Sequence, residues 1–305
     1  MSFGTLLKRS FIELSQNDPL RMAGATAFFT TFALPPILII ITQVLGLVFN
    51  PNNISRQLFA TLSDIVGPQS VQQIIDTLLA FRKLAQNWFI TIGGFLFLVF
   101  VATTLFKIIK SSINQIWKIK VFEKRGVWKS LGSRVKSVAV ILVAGLLFVI
   151  GLLAEAMQAY LGKYIFELSP MLATYYKGIL NYLLSITIVT VWFAIVFRYL
   201  PDGRPIWKVA FTGGLVTSVL FNIGKLVLGW LLTYSNLNTV YGTSGSIVLL
   251  LLFVFYSSLI LYFGATFTKV WALHHGMPIM PRPYAQHYQL AEVDYKQEIE
   301  KEKAY

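Results

Sequence analysis

The residues best placed to do chemistry lie on one stripe. Plotted at ~100° per residue, Gly214, Ser218, Asn222, Lys225 and Gly229 fall within about 80° of one another. Small residues, an amide and an ammonium share this face, while Val, Leu, Phe and Trp fill the rest of the segment. Two readings fit. One is a packing face, where small residues admit a neighbouring helix and Asn222 bonds across it. The other is one wall of a polar cavity. Lys225 argues for the cavity, because a charge within an apolar segment costs at least ~2.5 kcal/mol and needs water or a partner. Glu155 is the other charge inside such a segment, at a depth that allows a Glu155–Lys225 pair. Two separate charges at the water boundary, with the lysine snorkelling, is the alternative.

Enzyme constellations are missing from the sequence. Its three histidines, His274, His275 and His287, follow the last apolar segment and lack metal-ligand spacing. No glycine loop ends in Gly-Lys-Ser/Thr, and Gly242-Thr-Ser-Gly245 is too short for a nucleophile elbow. Without cysteine, thiolate catalysis, disulfides and Cys-ligated metals are excluded. The expectation is no catalytic residue, no metal and no cofactor. Arg198 and Arg204, flanking Tyr199-Leu-Pro-Asp202-Gly203, are candidate phosphate contacts at a membrane surface; the plainer reading is that they anchor topology.

The elements that must position these residues are membrane spans. The 305 residues are 56% apolar and 13% charged, against about 25% charged in a soluble domain, and the mean hydropathy is +0.66. Six apolar segments, at 27–49, 88–108, 135–158, 179–200, 209–233 and 245–271, are each long enough for a ~30 Å core. The predicted class is all-α: a polytopic membrane protein with six transmembrane helices and short amphipathic surface helices. Residues 1–272 form one membrane domain and 273–305 a charged tail. Pro35 and Pro36 are expected to break or kink the first span. Leu7, Phe11 and Leu14 predict a surface helix over 4–15, and Asp18 is placed to cap the next helix. The connection 50–87 carries two amphipathic runs, divided at Gly67-Pro68. The connection 111–134 mixes Ile113, Ile116, Trp117, Val121 and Trp128 with Lys118, Lys120, Lys124, Arg125 and Lys129, which suits a helical hairpin on an anionic surface.

Lysine and arginine orient the chain. With the N-terminus inside, inner segments hold three before the first span, nine over 107–136, three over 198–208 and five from 269 onward. The outer loops hold five in all. Both ends are therefore expected in the cytoplasm. The formal net charge of +13 is read as contact with anionic headgroups rather than nucleic acid, since no base-stacking or groove-reading module is visible. The start, with Lys8, Arg9 and Glu13, does not read as a removable signal peptide.

Laid out in this way, the chain resembles the YihY/BrkB family of bacterial inner-membrane proteins from about residue 18 to 272. The likeness rests on Asp18-Pro-Leu-Arg-Met-Ala-Gly-Ala-Thr-Ala-Phe28, Arg198-Tyr-Leu-Pro-Asp202, Gly213-Gly214, Tyr241-Gly-Thr-Ser-Gly-Ser246 and Phe263-Gly-Ala-Thr-Phe-Thr-Lys269. Where the family commonly has Gly-Ala-Glu, this chain has Gly264-Ala265-Thr266, so no role of that acid carries over. The resemblance implies a bacterial cytoplasmic membrane. Members have carried a ribonuclease label, which nothing in this sequence supports, and have been linked to lipid movement and to resistance to host killing. The expected function is transport of a lipid-like or anionic amphiphile, with a homo-oligomer enclosing the path. The alternative is a non-transporting scaffold or assembly factor acting through the basic loop 107–136.

Overall fold

The computed structural model describes residues 2–46, 88–122, 170–234 and 245–289, with scattered positions between 56 and 79. Its helices are α1 (Phe3–Ser15), α2 (Pro19–Gly46), α3 (Trp88–Ile116), α4 (Pro170–Tyr199), α5 (Trp207–Tyr234) and α6 (Gly245–His274). Among the described residues, three stretches are long and apolar enough to cross a membrane: Tyr182–Tyr199, Trp207–Leu228 and Val248–His274. The segment 135–158 lies outside the described residues. Helix α6 is central, packed against α2, α5 and α1, while α4 packs on α5 and α3 on α2.

Side-chain size explains the closest contact. On α5, Gly213 and Thr217 are one turn apart, as are Gly264 and Thr268 on α6. A Cβ at Gly213 would lie 1.9 Å from Thr268 Oγ1, and a Cβ at Gly264 would lie 1.8 Å from Thr217 Oγ1. Each threonine thus fills the space its partner's glycine leaves. Both hydroxyls donate within their own helix, to Gly213 O and Gly264 O, and leave no polar group bare between the helices. A second face of α5 meets α4, where a Cβ at Gly214 would lie 2.7 Å from Thr190 O. The third face, with Leu215, Val219, Ile223 and Leu226, is exposed, as suits acyl chains.

Helix α2 runs through Pro35-Pro36 as one helical element, so of the expected break or kink, the break is not there. Proline's fixed φ is helical, and the two rings remove only two of the many hydrogen bonds in a 28-residue helix. Helix α1 forms over the predicted segment; its buried residues are Leu6, Ser10 and Leu14, with Leu7 half-buried beside them, so Leu7 and Leu14 of the predicted stripe face the bundle. Leu6 packs with Phe267 and Val270 of α6, and Ser10 donates to Leu6 O, which lets the helices approach; Phe11 stays exposed. At Asp18 the backbone takes φ +52, a left-handed value that aspartate tolerates, and its carbonyl accepts from Met22 N–H to start α2.

Two small antiparallel sheets depart from the all-α expectation. After α3, Lys118 turns at φ +55 and Ile119–Val121 forms β1, which pairs with β4 (Ala285–His287). Strand β2 (Gly203–Arg204) pairs with β3 (Met280–Pro281). The predicted hairpin over 111–134 is therefore helix to Ile116 and then strand, and 123–134 lies outside the described residues. Ile119 is buried, Lys120 exposed and Val121 half-buried, the period of a strand. The segment read as tail from 273 begins folded, since both its strands close on the bundle. In the connection 50–87, Val71 is buried against Ala27, Leu250 and Val254.

Candidate functional site

The densest polar construction lies at the strand-bearing end of the bundle. The turn Leu200–Ile206 joins α4 to α5, and Pro201 and Asp202 within it are buried. Lys110 and Asn114, one turn apart on α3, both reach Asp202. Lys110 Nζ lies 2.7 Å from Asp202 Oδ1. Asn114 Nδ2 donates to Oδ2 at 2.8 Å, while its Oδ1 accepts from Asp202 N–H at 2.8 Å. Tyr284, just before β4, donates its hydroxyl to Oδ1 at 3.1 Å. Arg282 N–H donates to the Asp202 carbonyl at 2.9 Å. The carboxylate, 2% exposed, is therefore neutralised by one cation and held by two further donors, the condition under which a buried charge is tolerable. Gly203 sits against Trp117, Ile119 and Ile279, where a Cβ would approach to 2.6 Å.

A second ionic group ties α1 to the same end. Lys269 Nζ on α6 pairs with Glu13 of α1 and donates to Ile116 O at 2.9 Å. A cation at the last carbonyls of α3 satisfies an orphan acceptor and complements the helix dipole. Trp117 Nε1 donates to Ala265 O at 2.8 Å, and Lys118 reaches Asn17 Oδ1 at 3.5 Å. Tyr262 meets Thr26 of α2. Four helices and the return strands are thereby pinned together. No group of three metal-ligating side chains occurs among the described residues. The arrangement is built to hold geometry, with both carboxylate oxygens of Asp202 committed.

The stripe on α5 is divided between two environments. Ser218 is buried and donates to Ile186 O of α4 at 2.8 Å. Asn222 Oδ1 accepts from Ser185 Oγ at 2.9 Å, and its Nδ2 donates to Ser218 O at 2.9 Å. Both side chains are spent on the α4–α5 seam. Lys225, a turn further on, is half-buried, with no acid beside it among the described residues. Glu155 lies outside the described residues, so the pair with Lys225 has no described geometry. Arg198 folds over the α4–α5 turn, donating to Pro205 O, with its guanidinium carbon 4.6 Å from the centre of the Trp207 ring. Arg204 is exposed. Thr266, at the family's acidic position, is fully buried and donates to Tyr262 O.

Sequence reasoning passed over Asp202 as a turn residue and did not single out Lys110, Asn114, Tyr284 or the Lys269–Glu13 pair. The available signal was Lys110 and Asn114 at helical spacing beyond an apolar segment, with an acid in a turn at the same level. Nothing in the sequence marked Tyr284.

Long apolar helices joined side by side and pinned at one end define a polytopic helical membrane protein. Comparison then gives the family: the chain matches Virulence factor BrkB over residues 10–284 and belongs to that family, the YihY/BrkB group. It is similar to a UPF0761 membrane protein of Saccharophagus degradans, 25% identical over 270 residues, covering 88% of this chain and 59% of the relative. Another, from Chromohalobacter salexigens, is 26% identical over 268 residues, covering 86% and 62%. One from Mannheimia succiniciproducens is 23% identical over 268 residues, covering 85% and 87%. The chain thus spans about three fifths of the length of the first two relatives. No solved structure matches it.

Proposed function

We propose that this chain crosses the bacterial cytoplasmic membrane six times with both ends inside, and that it transports a lipid-like or anionic amphiphile without acting as an enzyme. The observation that carries this reading is Lys225, a half-buried ammonium on an apolar helix with no acid beside it among the described residues. A cation so placed is costly unless water or an anion visits it. The adjoining lipid-exposed face of α5, Leu215, Val219, Ile223 and Leu226, would accept the chains of such a visitor. Six spans are few to enclose a path, so a homo-oligomer is part of the proposal. No cofactor or nucleic acid has a place in it.

The test is movement of lipid in vesicles. Protein reconstituted with a fluorescent phosphatidylglycerol is exposed to an impermeant quencher. Transport brings inner-leaflet lipid to the quencher, whereas protein-free vesicles keep it hidden. Lys225→Met is expected to insert normally and lose this activity, and Lys225→Arg to retain part of it, since charge persists while shape changes. Wild-type vesicles indistinguishable from empty ones would end the transport reading.

A second reading has its own observation: Ser218 and Asn222 are committed to the α4–α5 seam, which suits a rigid scaffold. On that reading Lys225→Met is harmless, and cellular activity fails when Lys118, Lys120, Lys124 and Arg125 of the basic loop are neutralised.

A further inference from the structure

We infer that the corner between α4 and α5 is a binding site for the headgroup of an anionic phospholipid, a role that holds whether or not the chain transports. The two apolar stretches Tyr182–Tyr199 and Trp207–Leu228 end at this corner. The turn between them therefore sits at the headgroup level of one leaflet. Tyr199, Trp207 and Phe211 form an aromatic run there, with ring centres 5.9 and 5.5 Å apart. All three rings are more than 40% exposed, as expected of an interfacial belt.

Charge makes the corner more than a belt. Arg204 and Lys208 are exposed, and neither side chain has a hydrogen bond or ion pair among the described residues. Arg198 and Arg282 are half-buried beside them. Arg282 Nη2 donates to Tyr199 O at 3.2 Å, and Arg198 is held by Pro205 O and the Trp207 ring. The acid of this turn, Asp202, is buried and turned inward onto Lys110. The Nε atoms of both Arg198 and Arg282 are shielded from solvent and without a hydrogen-bond partner. The charge of both guanidiniums nonetheless adds to that of Arg204 and Lys208 at the corner, and phosphate is an anion that guanidinium geometry fits. The first turn of α5 holds no acid, so its N-terminal dipole adds to the same field.

The apolar neighbours select a lipid over a soluble phosphate. Ile206, Trp207 and Met280 are 47%, 41% and 63% exposed. Pairing of β2 with β3 sets Met280 opposite Arg204. Exposed hydrophobic side chains interleaved with cations give an acyl chain and its phosphate adjoining places. With no acid facing outward from this turn, a net negative headgroup is preferred to a zwitterionic one.

The experiment is native mass spectrometry of the full chain, released from micelles holding equal phosphatidylglycerol and phosphatidylcholine. Wild type is expected to retain phosphatidylglycerol preferentially. A cation near an anionic surface contributes about 1 kcal/mol, or roughly fivefold. Arg204→Gln with Lys208→Gln should therefore cut the preference by roughly 25-fold. Both side chains are exposed, so folding is expected to survive; Lys208→Gln alone, at about fivefold, serves if the pair does not. Lys8→Gln with Arg9→Gln, exposed cations on α1, should leave the preference unchanged. Three results overturn the site: no preference in wild type, a preference lost equally in the α1 variant, or displacement of the lipid by excess inorganic phosphate. The last would mark the corner as a site for soluble anions.

Discussion

Replacing Asp202 by asparagine tests whether the polar group at the strand-bearing end holds the bundle together. The two side chains are nearly isosteric, so the local packing is preserved and the change is electrostatic. Oδ1 of Asp202 faces Lys110 and Tyr284, and Oδ2 faces Asn114 Nδ2. Asn114 cannot flip to help, because its Oδ1 already accepts from Asp202 N–H. Whichever way the new amide turns, its NH2 group meets a donor, and Lys110 loses its counter-charge. Breaking one partner of a buried pair costs about 3–5 kcal/mol. Lys110 keeps 22% side-chain exposure, so water recovers part of that, and we expect roughly 2–3 kcal/mol. The assay is unfolding of the detergent-solubilised protein, followed by size exclusion after graded heating or denaturant. Lys110→Met is expected to cost as much or more, because the buried carboxylate is then uncompensated. The double variant should be more stable than the two single losses added together, by at least about 1 kcal/mol. A loss under ~0.5 kcal/mol for Asp202→Asn, or strict additivity in the double variant, would refute the reasoning.

Gly213→Ala should destabilise the protein by about 1–3 kcal/mol through overpacking against Thr268, and adding Thr268→Ala should recover part of the loss. Ala60→Cys and Phe122→Cys, both at exposed positions in a chain without cysteine, should label oppositely with an impermeant thiol reagent applied to intact cells. Position 60 is expected to react and 122 to be protected, and the reverse result would invert the proposed orientation.

Composition and periodicity were enough to place most of the described helices, because a lipid environment constrains the chain locally. Each span must satisfy its own backbone and present apolar side chains over ~30 Å, and both demands are legible within about twenty consecutive residues. The family was legible as well, in an ordered set of short motifs. Where helices run past the predicted segments, as α3 does to Ile116, the extra turns lie beyond the hydrophobic stretch and are held by tertiary contacts. Pro35-Pro36 shows the same limit: a proline pair signals lost hydrogen bonds, whereas whether the helix continues depends on the residues around it.

The polar stripe shows where local reading ended. Ser218 and Asn222 carry the same periodicity whether they face water or another helix. Ser185 and Ile186 on α4, more than thirty residues away, decided the matter for them. Lys225 carries the same helical signal and received a different environment. The reciprocal fit of Gly213 with Thr268 and Gly264 with Thr217 likewise exists only once α5 and α6 are adjacent. Asp202 reads as a turn residue until Lys110, Asn114 and Tyr284 arrive from separations of more than eighty residues. By itself the sequence determined which segments are apolar enough to enter a membrane, because hydropathy is a property of each segment. Only the tertiary structure decided which polar groups pair, because a hydrogen bond or ion pair belongs to two segments at once, and neither encodes the other's position.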